Sequence, residues 1–175
     1  SRRSTVGEVE AHESWGFDTR AIHSGQEPDP TTGAVVPPIS LSTTFAQDGV
    51  GNTKGFEYSR SGNPTRSAYE AQIAALEGAA HGLAFASGLA AEDNILRLFH
   101  AGDRVLLGND AYGGTYRLIS KVHTQLPWTA VDLLDIDALA AEWPTDTKLV
   151  WLETPTNPLL RCFDRDDCPY CERAL

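Results

Sequence analysis

Lysine is scarce in this chain: Lys54, Lys121 and Lys148 are its only three, so chemistry that needs a primary amine has few places to occur. Methionine is absent and no cysteine precedes Cys162, which leaves no disulfide or redox framework to read over most of the length. No apolar run approaches the roughly 18 to 20 residues of a membrane span. The stretch Ser1 to Glu10 is charged rather than signal-like, so the expectation is a cytoplasmic protein with no membrane partner. Positive charge is also short. Fourteen Lys and Arg stand against 24 Asp and Glu, giving a net charge of -10. That balance argues against nucleic-acid binding, which relies on many cationic contacts to phosphates. A small anionic ligand remains compatible, with Arg as the main cation. The five histidines, His12, His23, His81, His100 and His123, show no metal-ligand spacing, and no metal is expected.

What is present fits a globular chain long enough for one domain, with 41% hydrophobic residues among 175. Ser1 to Trp15 is polar and aperiodic and reads as a flexible arm or a remnant of processing. Gly16 to Ala46 carries Pro28, Pro30, Pro37 and Pro38 and reads as an extended arm of the kind that crosses a partner subunit. Gln47 to Gly55 is a Gly-rich loop. Residues 1–55 are therefore expected to form an arm, residues 56–160 part of a large domain, and residues 161–175 a divergent tail. Asn63 followed by Pro64 predicts a helix start, with Asn as cap and Pro at the first helical position. Tyr69, Ile73 and Leu76 then give one apolar stripe, and Gly78 ends the helix.

The stretch Gly82 to Ala91 organises the rest. Leu83 to Ala86 is a short apolar run suited to a strand buried on both faces. Ser87 can cap the following helix, and Gly88 lets backbone amides approach a ligand closely. Two readings fit: a phosphate held at the positive end of that helix, or a capped junction with no ligand. Downstream, helix and strand alternate: a helix over Glu92 to His100, a strand over Arg104 to Leu107, a loop over Asn109 to Gly114, a helix over Thr115 to Val122, a strand over Ala130 to Leu133, a helix over Ile136 to Trp143 and a strand over Leu149 to Leu152. Repeated βα units imply an α/β fold, a mostly parallel sheet with helices on both faces. Ligands bind such sheets beyond the carboxyl ends of the strands. That rule selects the loops Ser87 to Leu89, Asp110 to Gly114 and Glu153 to Pro158.

Five blocks carry a resemblance: Val36-Pro37-Pro38-Ile39-Ser40-Leu41-Ser42-Thr43-Thr44-Phe45, Tyr58 to Thr65, Phe85 to Ala91, Tyr112 to Arg117, and Leu149 to Pro158. In this order they are similar to the pyridoxal-phosphate enzymes of cysteine and methionine metabolism, the trans-sulfuration family of cystathionine γ-lyase and cystathionine γ-synthase. The resemblance covers about Gly16 to Leu160. It implies fold type I, pyridoxal 5'-phosphate as cofactor, an amino-acid substrate and a homo-oligomer, a dimer of dimers in the intact family. It also implies roles. The amides of Gly88 and Leu89, beside Ser87, bind the phosphate. Tyr58 and Arg60 reach the phosphate of a neighbouring subunit's cofactor, where a guanidinium fork suits phosphate oxygens. Tyr112 stacks on the pyridine ring and helps steer protons. Asn157 contacts the ring oxygen, with Glu153 as support, and Arg117 either meets substrate, braces Tyr112 or forms a structural pair.

The same resemblance implies what is missing. The Schiff-base lysine and the aspartate that faces the pyridine nitrogen are expected beyond the end of this chain, and none of the three lysines stands in the corresponding motif. The chain alone is thus expected to be catalytically dead or nearly so. The alternative is a noncatalytic fragment or an oligomerising module of that fold. After Leu160 the blocks stop. Cys168-Pro169-Tyr170-Cys171 looks like a redox pair, but no βαβ context or fourth metal ligand accompanies it.

Overall fold

The computed structural model describes residues 15–135, 139–140 and 143–162. Its contacts divide the chain into two compact units, residues 1–84 and 85–175.

In the first unit, helix α1 (Phe17–His23) is followed by extended chain, a hairpin of β1 (Gln47–Gly49) and β2 (Asn52–Thr53), and helix α2 (Pro64–Leu76). Two expectations change here. The arm is not extended throughout, because Phe17 to His23 winds into α1, which packs on α2. The Gly-rich stretch is not an open loop, because Gln47 pairs with Thr53 across a tight turn whose Gly51 has a φ of +76°. Helix α2 starts where the sequence places it. Asn63 Oδ1 accepts from the amides of Thr65 at 2.9 Å and Arg66 at 3.3 Å, and Pro64 takes the first helical position, where its missing N–H costs nothing. The stripe is different. Tyr69 and Ile73 are exposed, and Ala74 is the residue of α2 that is buried.

Leu83 to Ala86 forms no strand, and Leu83 is 78% exposed. The reason is local competition. Gly82 lies so close to α2 that a Cβ there would collide with the carbonyl oxygen of Glu70. The Ala84 amide is spent on Glu70 Oε1 at 3.0 Å. Backbone committed to a helix side chain is not available to a ladder.

The second unit is built on a parallel three-stranded sheet in the order β4-β3-β5, with β3 (Arg104–Gly108) central, β4 (Trp128–Val131) and β5 (Thr147–Trp151). Val105, Leu106 and Leu107 of β3 are all buried, as a continuous apolar run in a central parallel strand should be. Val105 and Leu107 join Leu96, Ile119 and Leu126 in the core. Helix α3 (Gly88–Leu96) anchors through Leu96, and it ends there rather than running to His100. Helix α4 (Gly113–Arg117) begins two residues before Thr115 and continues as a π-helical turn over Leu118–Val122. β4 starts at Trp128, two residues earlier than expected, because Val105 and Leu106 pair with Trp128 and Thr129. β5 likewise starts at Thr147. Most of the expected helix over Ile136 to Trp143, all of residues 1–14, and Cys168 and Cys171 lie outside the described residues. Among the described residues no helix is long and apolar enough to cross a membrane.

Candidate active site

The second unit brings Ser87, Gly88, Leu89 and Tyr112 together. Ser87 is the N-cap of α3, and its Oγ accepts from the Ala90 amide at 3.2 Å. The Ala90 and Ala91 amides also turn back to the Ser87 carbonyl. The amides of Gly88 and Leu89, at the first two helical positions, take no partner among the described residues. A Cβ at Gly88 would meet nothing within 4 Å, so the space over this helix end is open. Two unspent donors, the positive end of a nine-residue helix and open space suit a phosphate dianion.

Tyr112 stands at the N-cap position of α4 and is 44% exposed. Its ring lies over Gly114: a Cβ there would stand 2.9 Å from Tyr112 Cδ1, closer still to Cε1, and 3.2 Å from Leu89 Cδ1. The glycine is thus what allows the ring to lie down beside the cradle. The backbone is held as well. The Tyr112 amide donates to Glu153 Oε2 at 2.8 Å, and the Thr115 hydroxyl donates to Glu153 Oε1 at 3.0 Å. Glu153 therefore supports Tyr112 directly. Arg117 curls back over Gly113, its Nη1 3.2 Å from where a Cβ would stand, which places it on the helix that Tyr112 starts.

Asn157 is exposed in the loop after β5, between two cis prolyl bonds, Thr154-Pro155 and Asn157-Pro158. The loop closes around the buried Thr156. The Thr156 hydroxyl donates to Asp110 Oδ2 and accepts from the Arg161 amide at 2.8 Å. The Arg161 guanidinium reaches Asn109 Oδ1 at 3.3 Å and Asp132 at 3.2 Å. Asp132 is held below the usual carboxylate range by the Leu134 amide first and by Arg161 second. Asp110, Thr156 and Arg161 thus join the carboxyl ends of β3 and β4 to the loop that carries Asn157. The parallel-sheet rule selected the loops that hold Asp110 and Thr156, but no sequence feature assigned either residue a role of its own or pointed to Arg161.

In the first unit Tyr58 and Arg60 stand together. Tyr58 forms an antiparallel bridge with Thr44, and the Arg60 guanidinium lies over the Tyr58 ring at 5.1 Å. Lys54 pairs with Asp48 on the hairpin at 3.4 Å. Lys121 sits exposed in the π-helical turn, and Lys148 is exposed near the amino end of β5, opposite the end where ligands bind.

The sequence profile of the Cys/Met metabolism PLP-dependent enzymes matches residues 18–173, and so runs past Leu160. Cystathionine gamma-synthase of Mycobacterium tuberculosis is 56% identical over 153 residues, 85% of this chain and 39% of that protein. Cystathionine gamma-lyase of Bos taurus is 53% identical over 157 residues, 88% of this chain and 39% of that protein. The crystal structure of cystathionine gamma-lyase from Lactobacillus plantarum, complexed with L-serine, superimposes with a TM-score of 0.81. It is 48% identical over 91% of this chain and 42% of that one. The chain spans less than half the length of the curated relatives it matches.

Proposed function

Because the chain belongs to the Cys/Met metabolism PLP-dependent enzyme family, with the α/β fold of that group, we propose that it serves a trans-sulfuration reaction. The reaction uses pyridoxal 5'-phosphate at the γ carbon of cystathionine or of an activated homoserine. When bound, the cofactor supplies an electron sink for charge developed at the substrate's α carbon. The residues of this chain bind and orient. The amides of Gly88 and Leu89 hold the phosphate at the start of α3, with Ser87 fixing the turn. Tyr112 would cover the pyridine ring, while Glu153 fixes its backbone. Asn157 meets the ring oxygen. Tyr58 and Arg60 serve the phosphate of a neighbouring subunit in a cytoplasmic homo-oligomer.

The observation that carries this reading is the pair of unspent amides at Gly88 and Leu89 beside the Tyr112 ring, with open space above them. Similarity to a synthase at 56% and to a lyase at 53% favours neither reaction over the other. The test is a titration of the chain with pyridoxal phosphate, then borohydride reduction, peptide mapping and an assay of cystathionine turnover. Saturable binding that is lost in Tyr112→Ala, with no stoichiometric adduct at Lys54, Lys121 or Lys148, is expected. Absence of saturable binding, or binding that Tyr112→Ala leaves unchanged, refutes it.

A further inference from the structure

Asn157 is exposed, and among the described residues no hydrogen bond of its own holds it. Its placement therefore depends on how its neighbours in the chain are held. Thr156, only 3% exposed, is engaged through every polar group it has. Its amide donates to the Arg161 carbonyl at 2.9 Å, its carbonyl accepts from the Leu160 amide at 3.1 Å, and its hydroxyl accepts from the Arg161 amide at 2.8 Å. These bonds close residues 156–161 on themselves. The hydroxyl keeps one proton, which goes to Asp110 Oδ2, and a carboxylate oxygen has no proton to return.

Asp110 lies in the turn after β3, two residues before Tyr112. That turn is itself fixed: the Asn109 amide extends the ladder to the Val131 carbonyl at 2.8 Å, and the Ala111 amide returns to the Gly108 carbonyl at 3.1 Å. Three links thus join the segment of Tyr112 to the segment of Asn157. Glu153 accepts from the Tyr112 amide and the Thr115 hydroxyl, the Arg161 guanidinium reaches Asn109 at an exposed site, and Asp110 takes the Thr156 hydroxyl. Of the three, the Asp110 link grips the residue next to Asn157.

We propose that Asp110 is a positioning residue: by accepting from the Thr156 hydroxyl, it sets where Asn157 stands relative to Tyr112. A polar group contributes most to binding when its position is fixed beforehand, since no ordering cost then falls on the ligand. The consequence for the cofactor rests on the reading of Asn157 as a ring contact, but the link itself can be tested without any cofactor.

The experiment compares the full chain as wild type, Asp110→Asn, Asp110→Ala, Thr156→Ser and Thr156→Val. It follows the backbone amide resonance of Asn157 without cofactor, then the Kd for pyridoxal phosphate, the latter with Asn157 present and in an Asn157→Ala background. Asp110→Asn keeps an acceptor and Thr156→Ser keeps the donor, so both should leave the Asn157 resonance near its wild-type position. Asp110→Ala and Thr156→Val should both move it. With Asn157 present the same two should raise the Kd by about 2- to 13-fold, the range for one hydrogen bond. In the Asn157→Ala background they should add nothing further, because they act through Asn157. An Asn157 resonance unmoved in Asp110→Ala, conservative variants as damaging as the truncations, or the same rise in Kd with and without the Asn157 side chain overturns the proposal. If one truncation does not fold, the other carries the test. Resonances that move as expected, with a Kd that Asn157→Ala leaves unchanged, would uphold the link and instead refute the reading of Asn157 as a cofactor contact.

Discussion

Replacing Gly114 by Ala separates a residue that packs from a residue that presents. The added methyl group enters space held by the Tyr112 ring, 2.9 Å from Cδ1, with Leu89 Cδ1 at 3.2 Å. Both neighbours are movable side chains rather than backbone, and Tyr112 is 44% exposed, so the ring can swing outward. An off-rotamer ring costs about 0.5–1.5 kcal/mol, while Ala in place of helical Gly gains roughly 0.5–1 kcal/mol. These nearly cancel, so the midpoint of urea unfolding should hardly move. Cofactor affinity has no such compensation. Losing an oriented aromatic contact forfeits about 0.5–1.5 kcal/mol beyond area burial, which at about 1.36 kcal/mol per tenfold is roughly a 2- to 13-fold rise in the Kd for pyridoxal phosphate. Two measurements check this: a fluorescence titration with the cofactor, and the Leu89 methyl resonance, which loses the ring current of Tyr112. A Kd that stays put while the Leu89 methyl moves refutes the role given to Tyr112. A loss of about 1–3 kcal/mol in stability with unchanged affinity would show that the ring is simply packed there.

Asn63→Ala removes the cap of α2 and the Nδ2 bond to the Ser40 carbonyl at 3.2 Å, and should cost about 1 kcal/mol in urea unfolding. Arg60→Ala should raise the Kd for pyridoxal phosphate while leaving the thermal midpoint nearly unchanged, since its contact with Tyr58 is at an exposed site. The carboxyl of Asp132 is held low, so its stabilising effect is complete above the ordinary carboxylate range and lost as pH falls through the lowered value. Arg161→Ala removes one cause and leaves the Leu134 amide in place. The fall in thermal midpoint between pH 6 and pH 3 should therefore shrink without vanishing.

Features governed by adjacent residues were legible in the sequence. Asn63-Pro64 and Ser87-Gly88 mark helix starts because an N-cap is satisfied within three residues of itself. The run from Val105 to Leu107 marks a central strand because burial on both faces leaves no room for polar alternation. Leu83 to Ala86 has an equally apolar pattern, yet its fate depends on Glu70, a residue of α2 that no local window connects to it. Trp128 and Thr129 fall outside the expected strand over Ala130 to Leu133, but the Pro127 carbonyl accepts from Val105 at 2.8 Å and begins the ladder there. The same division holds in the site. Gly88, Leu89 and Tyr112 take their roles from recognisable blocks, whereas Thr115, Asp110 and Thr156 matter through partners tens of residues away, even though Thr115 and Thr156 stand inside such blocks.

The segment Tyr112-Gly113-Gly114-Thr115 shows how a site residue can be over-determined by a short stretch of chain. Tyr112 is held at two independent points. Its amide is fixed by Glu153, whose second oxygen is engaged by Thr115 from one turn further along the same helix. Its ring is fixed by the missing side chain of Gly114. Perturbing Thr115 or Glu153 should act on the backbone of Tyr112, and perturbing Gly114 should act on its ring, with little coupling between the two because they share no atom contact. The amide resonance of Tyr112 and the methyl resonance of Leu89 therefore form an orthogonal pair of readouts. In a Thr115→Val and Gly114→Ala cycle their changes should add, as expected for separate restraints. Strong coupling would mean that ring and backbone move as one body, with Glu153 governing the whole of Tyr112 rather than its amide.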